Sequence, residues 1–153
     1  MRPEVVFEDD DGGFHVVGHG GLIGRLGSAE LVLRDGRISE AHAMVSLRGS
    51  ALHLLALRGR FAHHGKAQTE LRLEPGQSVY LARGLRLQVR EVRLPEQVLA
   101  VSADGMPPAI LAGVTSVIRR PDVRVVSGFD PDAVACFWNH DDPWLVRIGE
   151  ADP

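Results

Sequence analysis

The sequence predicts an all-β chain, a β-sandwich followed by a small β extension, and three observations predict it. Apolar residues recur at a period of two rather than 3.6. The apolar runs are short, and Gly-, Asp- and Pro-containing turn signals separate them at roughly ten-residue spacing. No stretch before Leu94 carries the pattern of an amphipathic helix, which favours a sandwich over a layered α/β fold.

Taken in order, the expected strands are Val5 to Phe7, Phe14 to Val17, Gly21 to Ile23, Leu31 to Leu33, Ala43 to Leu47, Leu52 to Leu55, Ser78 to Leu81 and Leu85 to Val89. Turns are expected at Asp11-Gly12-Gly13, Asp35-Gly36, Arg48-Gly49-Ser50, Glu74-Pro75-Gly76 and Arg83-Gly84. Leu94-Pro95-Glu96 reads as a boundary, so residues 1–94 form the sandwich and residues 95–153 a β-rich extension. The extension offers a strand at Val98 to Ser102, a turn at Asp104 to Pro108, a β-branched strand within Ala109 to Ile118, and a strand at Val123 to Val126. Ala133 to Trp138 and Trp144 to Ile148 read as a hairpin with Trp138 and Trp144 cross-paired at its root and a turn over Asn139 to Pro143. So short a segment is expected to pack on the sandwich rather than stand alone.

Composition narrows the function. The chain has 153 residues, enough for a proper core, and a formal net charge of -3 that offers no general basic field for nucleic acid. No apolar window approaches a membrane span of roughly 20 residues, and the acidic N-terminus lacks the parts of a signal peptide. The single cysteine, Cys136, builds no intrachain disulfide framework and is expected buried. The expectation is a cytoplasmic protein without membrane insertion, nucleic-acid binding or a cofactor. Lys66 is the only lysine among 17 basic residues, a bias that suits a GC-rich genome, so only an arginine in a special context is read as functional.

The stretch Gly36 to Ala43, "GRISEAHA", places Ser39 three residues before His42. As a nucleophile and base the pair lacks its setting: no Gly-x-Ser-x-Gly elbow surrounds the serine, and strand-loop-strand context provides no helix N-terminus as an oxyanion hole. His63 and His64, with His15 and His19, are candidate metal ligands, but adjacent strand histidines face opposite ways, so no metal site is expected. "FWNHDDPW", Phe137 to Trp144, is read as a hairpin, with an aromatic-acidic contact surface as the alternative. A catalytic role for His140, Asp141 and Asp142 is the least favoured reading, and no enzyme is expected.

Gly24 to Ala43, "GRLGSAELVLRDGRISEAHA", resembles the signature of the forkhead-associated (FHA) family. Gly24-Arg25 stands for the family's opening Gly-Arg, Glu30 to Leu33 for its Asp-Ile-x-Leu, and Ser39, His42 and Ala43 for its Ser-Arg-x-His-Ala. The likeness extends over about residues 5 to 93, through His64-Gly65 and Leu73-Glu74-Pro75-Gly76. It implies a twisted β-sandwich that binds phosphothreonine-containing protein segments at one end, without catalysis. On that resemblance Arg25 and Ser39 grip the phosphate, and Gly24 and His42 support the binding loops; Arg37 and Arg60, loop arginines outside the family's pattern, are expected to add to the phosphopeptide site.

Two positions depart from the family's pattern. Glu40 stands where the family usually has arginine, and Gly59-Arg60-Phe61 occupies the place of an Asn-Gly-Thr loop. The alternative expectation is therefore an FHA-like scaffold or assembly subunit that has lost phosphopeptide binding, for example in a bacterial secretion or signalling complex.

Overall fold

The computed structural model describes residues 2–103, 105–111, 114–139 and 144–149. Two compact units divide the chain, one spanning Pro3–Leu94 and the other made of Pro95–Pro153 with Met1–Arg2. Among the described residues there is no helix, and therefore none long and apolar enough to cross a membrane.

The larger unit is a sandwich of eleven strands: β1 (Glu4–Asp9), β2 (Phe14–Gly18), β3 (Leu22–Gly24), β4 (Leu31–Val32), β5 (Ala43–Arg48), β6 (Ala51–Ala56), β7 (Phe61–His63), β8 (Lys66–Gln68), β9 (Glu70–Arg72), β10 (Ser78–Ala82) and β11 (Leu85–Arg93). One sheet runs β2-β1-β11-β10-β7-β8 and the other β4-β3-β5-β6-β9. Period-two residues fill the space between them: Val79 and Leu81 of β10 and Leu87 and Val89 of β11 from one sheet, Val45 and Leu47 of β5 and Leu52 and Leu54 of β6 from the other. Val5, Val6 and Phe7 are all buried although strict alternation would expose one of them. A bulge between Val6 and Phe7 shifts the β1–β11 register there and lets consecutive residues turn inward.

Strands β7, β8 and β9 lack an expected run of their own in the sequence, being three residues each. β7 and β8 are joined at His64-Gly65, whose φ values of 51° and 71° are those of a tight type I′ hairpin turn. His64 thus leaves the strand, and the two histidine rings do not face opposite ways: their centroids lie 3.9 Å apart. Among the described residues no group of three or more metal-ligating side chains assembles.

The second unit holds β12 (Ala100–Ala103), β13 (Met106–Ile110), β14 (Thr115–Ile118), β15 (Arg124–Ser127), β16 (Ala135–Asn139) and β17 (Trp144–Ile148). β12 and β13 form a ribbon, and the rest a sheet in the order β15-β14-β16-β17. Two expectations are corrected here. Pro107 and Pro108 lie inside a strand rather than a turn, tolerated because β13 is paired on one side only. Within the run Ala109 to Ile118 the β-branched end, Thr115–Ile118, forms β14 as expected, while Ala109 and Ile110 close β13. Trp138 pairs with Leu145 and Trp144 with Asn139, so the tryptophans fall on opposite faces and are not cross-strand partners. The expected roles of Asp104 and of His140 to Pro143 fall outside the described residues. Cys136 is buried, 3.7 Å from the Ser116 hydroxyl, which donates to the Gly128 carbonyl at 2.7 Å and accepts from the Asp130 amide.

Candidate functional site

Antiparallel pairing brings the C-terminal ends of β3, β6 and β10 and the N-terminal ends of β5, β7 and β11 to one end of the sandwich. Four loops meet there, and the backbones of three of them are tied together. The Arg25 amide donates to the Ser39 carbonyl at 3.1 Å and the Leu26 amide to the Glu40 carbonyl at 3.2 Å. The Arg58 amide donates to the Ala41 carbonyl at 3.1 Å. This zipper explains Gly24: a Cβ there would collide with the Glu40 carbonyl and lie 2.9 Å from the Ser39 oxygen.

His42 sits behind these loops, 3% exposed. The Ser39 amide donates to its Nδ1 at 3.1 Å, which leaves the Nε2–H to donate to the Arg60 carbonyl at 2.6 Å. The two partners thereby fix the neutral tautomer carrying its proton on Nε2. One imidazole thus holds the Ser39 loop and the Arg60 loop at a set separation. Gly59 makes room for the ring, since a Cβ at that residue would run into its Nδ1, Cγ and Cε1 atoms.

Arg25 is exposed, yet its side chain is oriented: Nε donates to the carbonyl of buried Ile38 at 2.5 Å. Its two Nη groups and the Ser39 hydroxyl have no hydrogen-bond partner among the described residues. Arg37 is differently placed. It grips Asp35 through two parallel bonds, Nε to Oδ1 at 3.0 Å and Nη2 to Oδ2 at 2.8 Å, while Nη1 donates to the Arg83 carbonyl at 2.6 Å. The Arg37 guanidinium and backbone amide hold the Asp35 carboxyl down at about 2, below its ordinary 3.8. Arg37 therefore staples two loops and has few donors left for a ligand. Arg60 lines a groove of about 420 Å³ on the adjoining sheet, and neither Arg25 nor Ser39 does.

Arg83 and Gly59 were not singled out by sequence reasoning. Arg83-Gly84 reads only as a turn, and Gly59 is one small residue in a loop without periodicity; its reason lies in His42, seventeen residues earlier. The side chains of Arg34, Arg58, Arg60 and Arg83 make no ion pair among the described residues. Glu40, also at this end, is exposed.

Two sheets whose loops present arginines at one end define a loop-presenting β-sandwich. No protein-family profile and no curated protein matches the sequence. Solved structures do match. One, from work described as a structural and functional analysis of phosphothreonine-dependent FHA domain interactions, aligns with a TM-score of 0.52 and 25% identity over 60% of this chain and 99% of that one. The FHA domain of FhaA, complexed with the intracellular domain of Rv3910, aligns with a TM-score of 0.51 and 24% identity over 56% of this chain and 99% of its own. Mycobacterium tuberculosis EmbR in complex with a low-affinity phosphopeptide aligns with a TM-score of 0.52 and 17% identity over 61% of this chain and 26% of its own. The chain carries an FHA-like domain.

Proposed function

We propose that the FHA-like domain is a noncatalytic recognition module that binds phosphothreonine-containing segments of partner proteins through Arg25 and Ser39. The observation that carries this reading is the state of Arg25: oriented by its Nε bond to Ile38, it keeps both Nη groups for a ligand, and the hydroxyl of Ser39, whose carbonyl accepts from the Arg25 amide, is also unengaged. A dianionic phosphate offers acceptors for that fork, and a hydroxyl donor fits a third oxygen. The structural match from work on phosphothreonine-dependent interactions supports the same ligand class. Two charge-assisted bonds, each worth about 1.5–3 kcal/mol, correspond to a loss of roughly a hundredfold or more when they are removed.

Isothermal titration with matched phosphothreonine and threonine peptide libraries tests this. Binding is expected only with the phosphorylated set, with Arg25→Ala losing at least a hundredfold and Ser39→Ala less. Phosphate-independent binding, or binding indifferent to Arg25→Ala, overturns it. A second reading, an FHA-like assembly scaffold without phosphate dependence, is favoured by one feature, the exposed Glu40 carboxylate at the same end. Under that reading the phosphorylated and plain libraries bind alike.

A further inference from the structure

The β15-β14-β16-β17 sheet of the second unit has two unlike edges. On β15 the exposed residues are Arg124 and Ser127, and the two valines between them are half-buried. β17 is bare. On one face cover falls away toward it: Thr115 and Val117 of β14 are buried, Phe137 of β16 is half-buried, and Val146 and Ile148 of β17 stand 51% and 76% exposed. On the other face Leu145 is 46% exposed. The strand has no proline, glycine or register shift to blunt it, and its one charge, Arg147, lies over the Phe129 ring with Cζ 4.7 Å from the centroid. The Gly149 amide donates to the Val134 carbonyl at 2.8 Å. By alternation the main-chain groups of Leu145 and Arg147 then turn toward β16, and those of Trp144, Val146 and Ile148 turn outward. Among the described residues no strand pairs with that outer side.

We infer that β17 is a homodimer interface, at which a second copy of this chain adds its own β17 antiparallel across a two-fold axis at Val146. Centred there, the five residues of the strand match themselves. Val146 meets Val146 and Trp144 meets Ile148, so every outward-facing residue of each copy exchanges main-chain hydrogen bonds with the other. The same three side chains share one face of the sheet, and their pairing covers the exposed apolar stripe. On the opposite face Arg147 falls beside Leu145 of the second copy, whereas an axis at Arg147 would set the two guanidinium groups against each other. This self-matching register is what commits the edge to a second copy: one sequence supplies both halves of each pair without an unpaired charge. The two-fold axis also closes the assembly, because both bare edges meet each other and only the β15 edges remain outermost.

Sedimentation equilibrium of the full chain tests this. One pair of strands is smaller than a standard interface, so a dimer dissociation constant of about 10–100 μM is expected. Val146→Lys sets like charges face to face on the axis and is expected to weaken the dimer by about tenfold or more. Leu145→Glu and Leu145→Lys check the register at an exposed position. Both remove the same leucine, but the first faces Arg147 of the second copy with opposite charge and the second with like charge. The Glu variant should therefore dimerise about tenfold tighter than the Lys variant at low salt, with a smaller gap at high salt. Amide hydrogen exchange gives the pairing directly: Trp144, Val146 and Ile148 slow as protein concentration rises, while Leu145 and Arg147 are slow throughout. Unchanged amide shifts in β14 and β16 show that each variant keeps its sheet. A dimer indifferent to Val146→Lys, or equal dimer constants for the two Leu145 variants, overturns the inference. A monomer at every concentration also overturns it and leaves the edge to a strand of another protein.

Discussion

The arginines of the sandwich divide into two populations. Along β1 and β11 they are paired: Arg86 with Asp10 at 2.9 Å, Arg90 with Glu8, and Arg93 with Glu4 at 3.1 Å and Glu91 at 3.0 Å. At the loop end Arg25, Arg34, Arg58, Arg60 and Arg83 have no carboxylate partner among the described residues, and Arg37 alone has one. The difference follows from the backbone. Antiparallel register sets Glu4 opposite Arg93, so acid and base become neighbours on one sheet face as soon as the strands pair. Loops impose no such register, and there the main-chain zipper between residues 25–26 and 39–40 fixes the geometry while side-chain charge stays unspent. A surface pair is worth little by itself, so the lesson concerns availability rather than stability: the arginines of β11 are occupied and, Arg37 apart, those of the loop end are not.

The largest expected effect comes from breaking the frame that keeps the loop arginines in place. Gly59→Val puts a branched side chain where the His42 ring lies, and the ring must leave both the Ser39 amide and the Arg60 carbonyl. Each orphaned buried group costs about 1–3 kcal/mol, so thermal unfolding is expected several degrees lower and phosphothreonine-peptide affinity more than tenfold weaker. Amide shifts concentrated in residues 38–43 and 57–61, with β1 and β11 unchanged, separate this from general unfolding. A variant with native shifts around His42 would deny the brace.

A smaller effect sharpens the comparison from the opposite side. Glu40 is an exposed carboxylate at the end where arginines stand free, and under the phosphothreonine reading its charge would oppose an incoming phosphate. Glu40→Gln is expected to raise phosphothreonine-peptide affinity about three- to tenfold at low salt, in line with roughly 1 kcal/mol for a unit charge some 4 Å away in water, and less at high salt. Fluorescence anisotropy at two ionic strengths measures it; unchanged affinity places Glu40 away from the ligand.

The all-β architecture was legible because alternation and turn residues act locally, and strands such as β5, β6, β10 and β11 stand within a residue or two of their expected bounds, except that β11 runs on to Arg93. Strands β7 to β9 were not legible, since three residues hold no periodicity of their own and pair only because neighbours are already in place. At the candidate site the spacing of Gly24-Arg25 to Ser39 and His42 marked the loops, but it could not say which arginines would be spent. Arg25 is set apart by its Gly-Arg context, but nothing local tells that Arg37 closes on Asp35 two residues away while Arg25 is aimed by the carbonyl of Ile38. Nor could the sequence connect Gly59 to His42, because a close approach between a ring and a distant loop has no local signature.

The smallest effect tests the exception at the loop end, the Asp35–Arg37 pair. Asp35 titrates at about 2 when folded against 3.8 ordinarily, so the folded state favours its charged form. The stabilisation is fully present above pH 3.8 and is lost as the pH falls through about 2, because unfolded chains then gain protons before folded ones. The stability of wild type relative to Asp35→Asn should therefore be highest near neutrality and decline between those values. Thermal melts of both proteins across that range measure it. Removal of the carboxylate also releases the Arg37 fork, so at neutral pH Asp35→Asn should bind phosphothreonine peptides at least as tightly as wild type while melting slightly lower. A stability difference that stays constant through the acid range would mean that Arg37 is not held by Asp35 in solution. It would then join the free arginines rather than mark the boundary of their population.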